Sequence, residues 1–478
     1  MGDSIFDEEI AAFAVDYATS LGARYAEVRI QRDATQQYLV KNGQLETAGF
    51  YEDTGLSIRV LVDGSLGFAS TDQWNNREAI KRIVNDAIKL ARAHKRGDVS
   101  LSSEETYIIK YEVKSKIDPR NIDLMEKIGY LLELDKIIQE ADENAKYPNR
   151  MLSISETITD KFFKNSEGTE IISSVPRISF FVFFVTAVNN QFDTRFLQFG
   201  ESRGWEAIKE WNLEDTLREE ARSMATILRE GKTPPEGEID VVIGSEVSGL
   251  AAHECVGHPY EADRILGREG AQAGESFVDP DMLGKKVGSE ALTVIDDPTL
   301  PNSYGFYLYD DEGVKARPRY LIHRGVIKEF LHNRETANRF GIKSNAAARA
   351  SAYNREPIVR MANTYIAPGD YSFEELLEDI KLGIYMKSFG EWNIDDKRYN
   401  MRFVGKESWL IRNGELTEPV RNPILEITTP GFYRSIDAVD KNLEFYAATC
   451  GKGDPGQGVP VWVGGPNVRL RGIRVLKL

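Results

Sequence analysis

Two histidines lie five positions apart in a chain of 478 residues that contains only five histidines. They belong to the segment 253–259, which reads His-Glu-Cys-Val-Gly-His-Pro. Imidazole nitrogens are common zinc ligands, and a glutamate after the first histidine is the general base in the shorter His-Glu-x-x-His motif. These residue types predict a metal site for hydrolysis, with His253 and His258 as ligands and Glu254 as general base for a metal-activated water.

The spacing of the two histidines creates a geometric problem. Side chains at i and i+4 share one face of an α-helix, whereas those at i and i+5 diverge by roughly 140°. Gly257 permits unusual backbone dihedrals, and Pro259 biases His258 away from the α region. We therefore predict a π-bulge or an unwound last turn that brings the two imidazoles together. A straight α-helix through His258 would exclude the metal site.

A catalytic zinc site usually has three protein ligands and one open position, so a third ligand is required. The candidates are Cys450, the carboxylates of Glu261 and Asp263, and the more distant histidines. Cys450 lies in the glycine-rich segment 449–458, where the backbone can approach a site closely. Its thiolate would be a strong zinc ligand, and Lys452 is expected to favour the negative charge. The residues alone leave this choice open.

Other reactive side chains receive structural interpretations. Cys255 is expected to be a small buried hydrophobic residue, and thiol catalysis by a Cys255–histidine pair is the competing hypothesis. His323 and His332 are expected to pack and to form hydrogen bonds, although one of them could help to stabilise an oxyanion. The acidic segment 310–312 could be a cation site or a solvated turn, and no role is assigned to it.

Hydrophobic periodicity indicates the elements that position these residues. The first predicted helix ends near residue 21, and Ser4 and Asp7 are expected to cap its start. A second helix is predicted around 80–91, with His94 at its end. Two more helices are predicted after residue 119 and at 213–230. Residues 26–70 read as short alternating strands joined by Asn42-Gly43 and Asp63-Gly64, which are strong hairpin signals.

The predicted fold class is α+β, in two halves. An N-terminal helix-and-hairpin α/β half is followed by a β-rich C-terminal half that carries the metal-binding helix. The segment Pro234-Pro235-Glu236-Gly237 cannot continue a helix, so the domains are predicted at 1–233 and 236–478. Ser245 is expected to cap the metal-binding helix, and Glu246 suits the positive end of its dipole.

The charge balance narrows the possible partners. The chain has 60 Lys+Arg against 75 Asp+Glu, a formal net charge of −15, which disfavours nucleic acid and anionic membrane surfaces as partners. The most apolar run, 178–188, is too short to span a bilayer and reads as a buried strand at the core or a subunit interface. The N-terminus shows no signal peptide, and a soluble cytoplasmic protein is expected.

The motif and several other segments resemble one known family. The segment 253–258 together with Cys450-Gly451-Lys452 resembles the TldD branch of the TldD/PmbA family. Further matching segments are Asn42-Gly43-Gln44-Leu45-Glu46, 55–60, 310–313, 334–337, 360–365 and 464–468.

The resemblance implies a zinc-dependent metallopeptidase that acts on unfolded or small peptides. It implies one zinc per chain, held by His253, His258 and Cys450, with Glu254 catalytic. It also implies a dimer, formed either by two copies of this chain or with a relative that lacks the motif. The alternative is a non-catalytic peptide-binding or chaperone-like subunit whose metal is structural or absent. A metal amidase on non-peptide substrates would share the same chemistry.

Overall fold

The computed structural model describes residues 6, 8–93, 97–270 and 274–477. Within them the chain mixes helices and strands, and the predicted α+β class is confirmed. The predicted cap at Ser4 and Asp7, and His94 at the end of the second helix, lie outside the described residues. The predicted domain boundary between residues 233 and 236 stays a prediction. Among the described helices, none combines the length and the apolar character needed to cross a bilayer.

The N-terminal half contains a sheet of seven described strands in the order β3-β2-β1-β5-β6, with both β4 and β7 paired to β6. All of these pairs are antiparallel except β4 with β6. The strands are β1 Tyr25–Lys41, β2 Gln44–Val62, β3 Ser65–Thr71, β4 Ile108–Glu112, β5 Lys146–Asn165, β6 Glu170–Val188 and β7 Gln191–Glu201.

The predicted hairpin turns are confirmed, but the predicted strand lengths are wrong. Asn42 and Gly43 adopt positive φ angles of 49° and 74°, which suit the tight turn between β1 and β2. The two strands have 17 and 19 residues, whereas short segments were expected. Residues 44–53 of β2 are all exposed, so no alternation of apolar residues marks that part of the strand. Its pairing with β1 continues regardless.

Five described helices accompany this sheet: α1 Glu8–Ser20, α2 Arg77–Ala93, α3 Leu124–Gln139, α4 Glu206–Glu210 and α5 Leu213–Glu230. The apolar faces of α1 and α2 pack on one part of the sheet, and those of α3 and α5 pack on another. Phe180 and Phe184 of β6 are fully buried in the second of these cores, so the predicted core strand is confirmed.

The C-terminal half contains two larger sheets and a small ribbon. One sheet has the order β16-β17-β20-β24-β8-β15-β18-β19, with β21 also on β24, and the other has the order β11-β10-β9-β14-β23-β22. The strands are β8 Gly237–Ile243, β9 Val294–Asp296, β10 Arg319–His323, β11 Val326–Ile327, β12 Ala348–Arg349, β13 Ile358–Val359, β14 Asn363–Ile366, β15 Leu382–Met386, β16 Phe389–Ile394, β17 Asn400–Gly405, β18 Ser408–Arg412, β19 Glu415–Pro419, β20 Ile424–Thr428, β21 Ile436–Val439, β22 Glu444–Lys452, β23 Gln457–Gly465 and β24 Val468–Leu476. The α-helices are α6 Ser245–Ala252, α7 Ala262–Ile265, α8 Arg334–Phe340, α9 Phe373–Leu377 and α10 Thr429–Ser435.

The acidic segment 310–312 joins the two halves, and of its two alternatives, a cation site or a solvated turn, the solvated turn is wrong. Asp310, Asp311 and Glu312 are all buried. Lys161 Nζ of β5 lies 2.7 Å from Asp311, and Arg59 Nη2 of β2 lies 2.6 Å from Glu312. The cations come from the N-terminal sheet, far away in the sequence, so the local pattern could not reveal this burial.

Candidate metal centre

The helix that carries the first histidine starts at the end of a central strand. After β8, Gly244 occupies the N-cap position of α6, so the prediction of Ser245 as the cap is wrong. Glu246 in the first turn accepts hydrogen bonds from both terminal nitrogens of Arg195 in β7, at 2.9 and 2.7 Å. This buried pair holds α6 against the N-terminal half.

The predicted distortion between the two histidines is confirmed. His253–Gly257 form a π-helical turn directly after α6, and His258–Tyr260 follow as a 3₁₀ turn. The two imidazole rings come together with their centroids 4.9 Å apart, at an interplanar angle of 81°. The extra residue of the longer motif is therefore absorbed in the π turn.

The predicted cause of this distortion is only partly right. Gly257 (φ −54°, ψ −65°) and His258 (φ −62°, ψ −46°) both keep right-handed helical dihedrals, so neither leaves the α region. Glycine is needed for space. A Cβ atom at position 257 would lie 1.8 Å from Sδ of Met361. The π turn thus depends on close packing against Met361.

Among the candidates for the third ligand, the structure brings Cys450 to the histidines. Cys450 lies on β22, at the edge of its sheet, and Sγ is 3.4 Å from Nε2 of His258. One ligand atom from each of His253, His258 and Cys450 lies within 4.8 Å of the others, and all three residues are buried. Glu261 instead contacts Nδ1 of His258 at 2.9 Å, and Asp263 accepts hydrogen bonds from Lys452.

The electrostatics of this cluster favour a thiolate. Burial alone would raise the pKa of the Cys450 thiol, but His258, His253 and Arg360 together lower it well below its ordinary value. Burial also disfavours the charged form of His253 and by itself would lower the pKa of this imidazole. The charge of Cys450 nevertheless raises it. The ammonium group of Lys452, which the sequence led us to place near this thiolate, is paired with Asp263 at 2.7 Å.

The donor set fits a zinc ion. Two imidazoles and a thiolate are typical zinc ligands, and three protein ligands leave a position open for water. Nδ1 of His253 is buried and has no hydrogen-bond partner among the described residues, so the cluster is incompletely satisfied by protein atoms.

A second layer of charged groups orients His258, and sequence reasoning did not predict it. Glu261 accepts hydrogen bonds from His258 and, at 2.7 Å, from Arg264 Nε, and its carboxylate lies 3.3 Å from Lys452 Nζ. Burial would raise the pKa of Glu261, but Lys452, His258 and Arg264 lower it well below its ordinary value. An ionised Glu261 holds Nδ1 of His258, so Nε2 faces Cys450.

A cleft of about 360 Å³ opens above the cluster. Its walls come from both halves of the chain. The lining residues include His253, Glu254, His258, Cys450, Arg398, Phe196, Phe389 and Trp392. Oε2 of Glu254 accepts a hydrogen bond from Nη1 of Arg398 at 2.5 Å. Arg398 gave no signal in the sequence, because it is 144 residues from Glu254.

The remaining reactive residues lie outside this set. Cys255 is fully buried, and burial raises the pKa of its thiol, so its predicted role as a buried hydrophobic residue is confirmed and thiol catalysis is disfavoured. His332 is buried with its ring centroid 4.9 Å from that of Phe340. His323 stacks edge-on against Tyr320 at 5.9 Å. Neither histidine lines the cleft.

Three stretches of the chain match profiles of one family. Residues 26–91 match the profile described as PmbA/TldA metallopeptidase domain 1, residues 117–229 match the central domain, and residues 236–477 match the C-terminal domain. All three matched profiles describe metallopeptidase domains, and the C-terminal one spans the candidate metal cluster. The chain belongs to the TldD/PmbA family of metallopeptidases.

Individual relatives agree with this assignment. The chain is 35% identical to metalloprotease MJ0996 of Methanocaldococcus jannaschii, over 93% of this chain and 95% of that protein. It is 28% identical to a zinc metalloprotease TldD homolog of Saccharolobus solfataricus, over 96% of this chain and 98% of that protein. The crystal structure of TldE from Thermococcus kodakarensis shares the fold, with a TM-score of 0.77 at 18% identity over 98% of this chain and 99% of that one.

Proposed function

We propose that this protein is a zinc-dependent peptidase that hydrolyses unfolded or small peptides. One zinc ion per chain would be held by His253, His258 and Cys450. The observation that carries the proposal is the approach of their ligand atoms to within 4.8 Å, beside Glu254 in an accessible cleft. A bound zinc ion would supply Lewis-acid chemistry, which lowers the pKa of water and polarises a carbonyl group.

The residues of the chain would carry the proton transfers. Glu254 presents its carboxylate to the cleft, where it takes a proton from the attacking water and returns it to the departing amine. Glu261 keeps His258 in one tautomer and orientation through its contact with Nδ1. Phe389 and Trp392 add aromatic surface to the cleft, against which apolar side chains of a peptide would pack.

The size of the cleft supports flexible substrates. A volume of about 360 Å³ accommodates a short extended segment, but not a folded domain. This observation favours peptides and unfolded chains as substrates. A metal amidase on non-peptide substrates would use the same residues, and the choice of test substrate separates the two.

The competing function is a non-catalytic binding or chaperone-like subunit. A structural zinc site is usually closed by four protein ligands, whereas this cluster offers three and borders a cleft. A structural site would also not require a glutamate that lines the cleft beside the first histidine, whereas a hydrolytic site uses one as general base. Both observations favour the peptidase.

A dimer is a further part of the proposal, either of two copies or with a relative that lacks the motif. Phe50 and Tyr51 on the exposed part of β2 support an interface there, with 61% and 57% of their surfaces accessible. The mass of the purified protein in solution would test for self-association. Nucleic acid and membranes are not proposed as partners.

The testing experiment combines metal analysis with peptide cleavage. Wild-type protein is expected to bind about one zinc per chain and to cleave an unstructured peptide in a chelator-sensitive way. Cys450→Ser should lose most of the zinc and the activity. Glu254→Gln should keep the zinc but lose roughly 10²- to 10⁴-fold in rate. Cys255→Ala, the matched thiol control, should keep the zinc.

Two outcomes would contradict the proposal. Unchanged zinc in Cys450→Ser would remove that residue from the ligand set. Zinc-loaded wild-type protein that binds peptides but cleaves none would favour the binding subunit.

A further inference from the structure

The proposed general base has a charged partner in the cleft. Arg398 lies in the turn between β16 and β17, and its Nη1 donates a hydrogen bond to Oε2 of Glu254 at 2.5 Å. The side chains of Arg398 and Glu254 are only 10% and 6% exposed. A charge-assisted bond shielded in this way is strong, and it restrains the position of the carboxylate. It engages Oε2 of Glu254.

The backbone holds Arg398 in an unfavourable conformation. Its φ angle is 61°, in the left-handed region that glycine and asparagine adopt more easily. Asp395 restrains the turn by accepting hydrogen bonds from the backbone of Tyr399 and Asn400. Thr429 Oγ1 donates to the carbonyl of Arg398 at 2.6 Å. A strained arginine that is fixed from both sides points to a use for its side chain.

The guanidinium group of Arg398 has unused donors. It carries five N–H bonds, of which one is given to Glu254. Nε is buried without a partner, and Nη2 makes no hydrogen bond to any residue that the structure describes. The side chain lines the same cleft as His253 and Cys450. Protein atoms leave this guanidinium incompletely satisfied, and an acceptor on a bound substrate would bond to Nη2, because Nε is enclosed by protein.

We propose that Arg398 is a further catalytic residue, which donates a hydrogen bond to the carbonyl oxygen of the scissile bond as that oxygen becomes anionic. This inference rests on the proposed peptidase function. During attack, a bond forms between the water oxygen and the carbonyl carbon, the π electron pair moves to the carbonyl oxygen, and Glu254 receives the proton of the water. On collapse, the C=O bond re-forms, the C–N bond breaks, and the proton on Glu254 passes to the amine nitrogen.

The position of Arg398 suits this redistribution of charge. Before attack the negative charge lies on Glu254, and after attack it lies on the former carbonyl oxygen while Glu254 is neutral. The guanidinium group is therefore paired with an anion at every stage, first with Glu254 and then with the former carbonyl oxygen. Such stabilisation acts mainly in the transition state, so it raises kcat and leaves substrate binding little changed.

The test compares zinc-loaded wild-type protein with Arg398→Ala, Arg398→Lys and Lys397→Ala on one unstructured peptide. Arg398→Ala should lower kcat roughly 10²- to 10³-fold, with KM and zinc content unchanged. It should stay folded at the assay temperature, although the loss of the buried pair with Glu254 lowers its melting temperature. Millimolar guanidinium should restore part of this activity. Arg398→Lys should retain an intermediate rate, because a cation remains without the planar fork. Lys397 is the neighbouring cation and lies outside the cleft lining, so Lys397→Ala should behave like wild type.

A second readout uses a phosphinic peptide, whose tetrahedral anion resembles the transition state. Its affinity should fall by the same factor as kcat in Arg398→Ala. The affinity of the uncleaved peptide, measured in the Glu254→Gln background, should not change when Arg398→Ala is added.

The outcomes separate this inference from the proposed function. Wild-type protein that cleaves no peptide overturns both. An active wild type with an equally active or faster Arg398→Ala overturns the role of Arg398 alone. Three other results would assign Arg398 to structure or binding and would equally overturn the inference. They are an effect on KM alone, a loss of zinc, and unfolding of both Arg398 variants.

Discussion

A single methyl group at position 257 should disturb the π turn that brings the two histidines together. In Gly257→Ala the new Cβ atom would lie 1.8 Å from Sδ of Met361, which is fully buried. Carbon and sulfur atoms in contact are normally about 3.5–4 Å apart, so one of the two groups must move by about 2 Å. Either Met361 repacks or the turn shifts, and a shift carries His258 away from Cys450.

The magnitude follows from overpacking in a close-packed core. Such insertions cost about 1–3 kcal/mol, and the flexible methionine places Gly257→Ala in the lower part of that range if Met361 yields. Met361→Ala alone should cost about 2–5 kcal/mol through the cavity that it leaves. The double variant should be more stable than the sum of the two changes by about 1–3 kcal/mol, because the methyl group fills part of that cavity.

The assay is urea unfolding of the metal-free proteins, followed by fluorescence and circular dichroism, with zinc affinity measured on the folded variants. Gly129→Ala in α3 is the matched control, because a Cβ atom there meets nothing within 4 Å. It should stabilise the protein by about 0.5–1 kcal/mol. A Gly257→Ala variant with the same stability and zinc affinity as wild type would refute the packing argument. It would also be refuted if the free energies of unfolding of the two single variants add strictly in the double variant.

Two further predictions concern stability. Burial lowers the pKa of His332 from 6.5 to about 4, so protonation of the unfolded state should remove up to about 3 kcal/mol of stability as the pH falls from 6.5 to 4. His332→Gln should flatten this part of a melting-temperature profile, and an unchanged slope would contradict the burial argument. Glu312→Gln should cost about 3–5 kcal/mol in thermal unfolding because it leaves the buried Arg59 without one of its anions, and added salt should change this cost little. Breaking the exposed pair of Lys81 and Glu78 should have a much smaller effect on stability, because solvent screens the two charges. An equal loss of stability on breaking the exposed and the buried pair would contradict the prediction for Glu312.

The sequence by itself determined the features that depend on near neighbours. The helical periodicity at 213–230 predicted α5, which the structure places at Leu213–Glu230. The turn at Asn42-Gly43 followed from the ability of both residues to adopt positive φ. The five-residue spacing of His253 and His258 required a distorted helix, and the π turn provides it. Each of these properties is set by residues a few positions apart.

The tertiary structure decided every feature that joins distant parts of the chain. Cys450 lies 192 residues from His258, and the packing of β22 beside the π turn places its sulfur within reach of both histidines, which the residue types alone left open. The pairing of Arg398 with Glu254 and the burial of segment 310–312 depend in the same way on contacts between separate elements. Gly257 shows the limit most clearly. Its type was visible in the sequence, but the need for it comes from the sulfur of Met361, which the fold places where a side chain would begin.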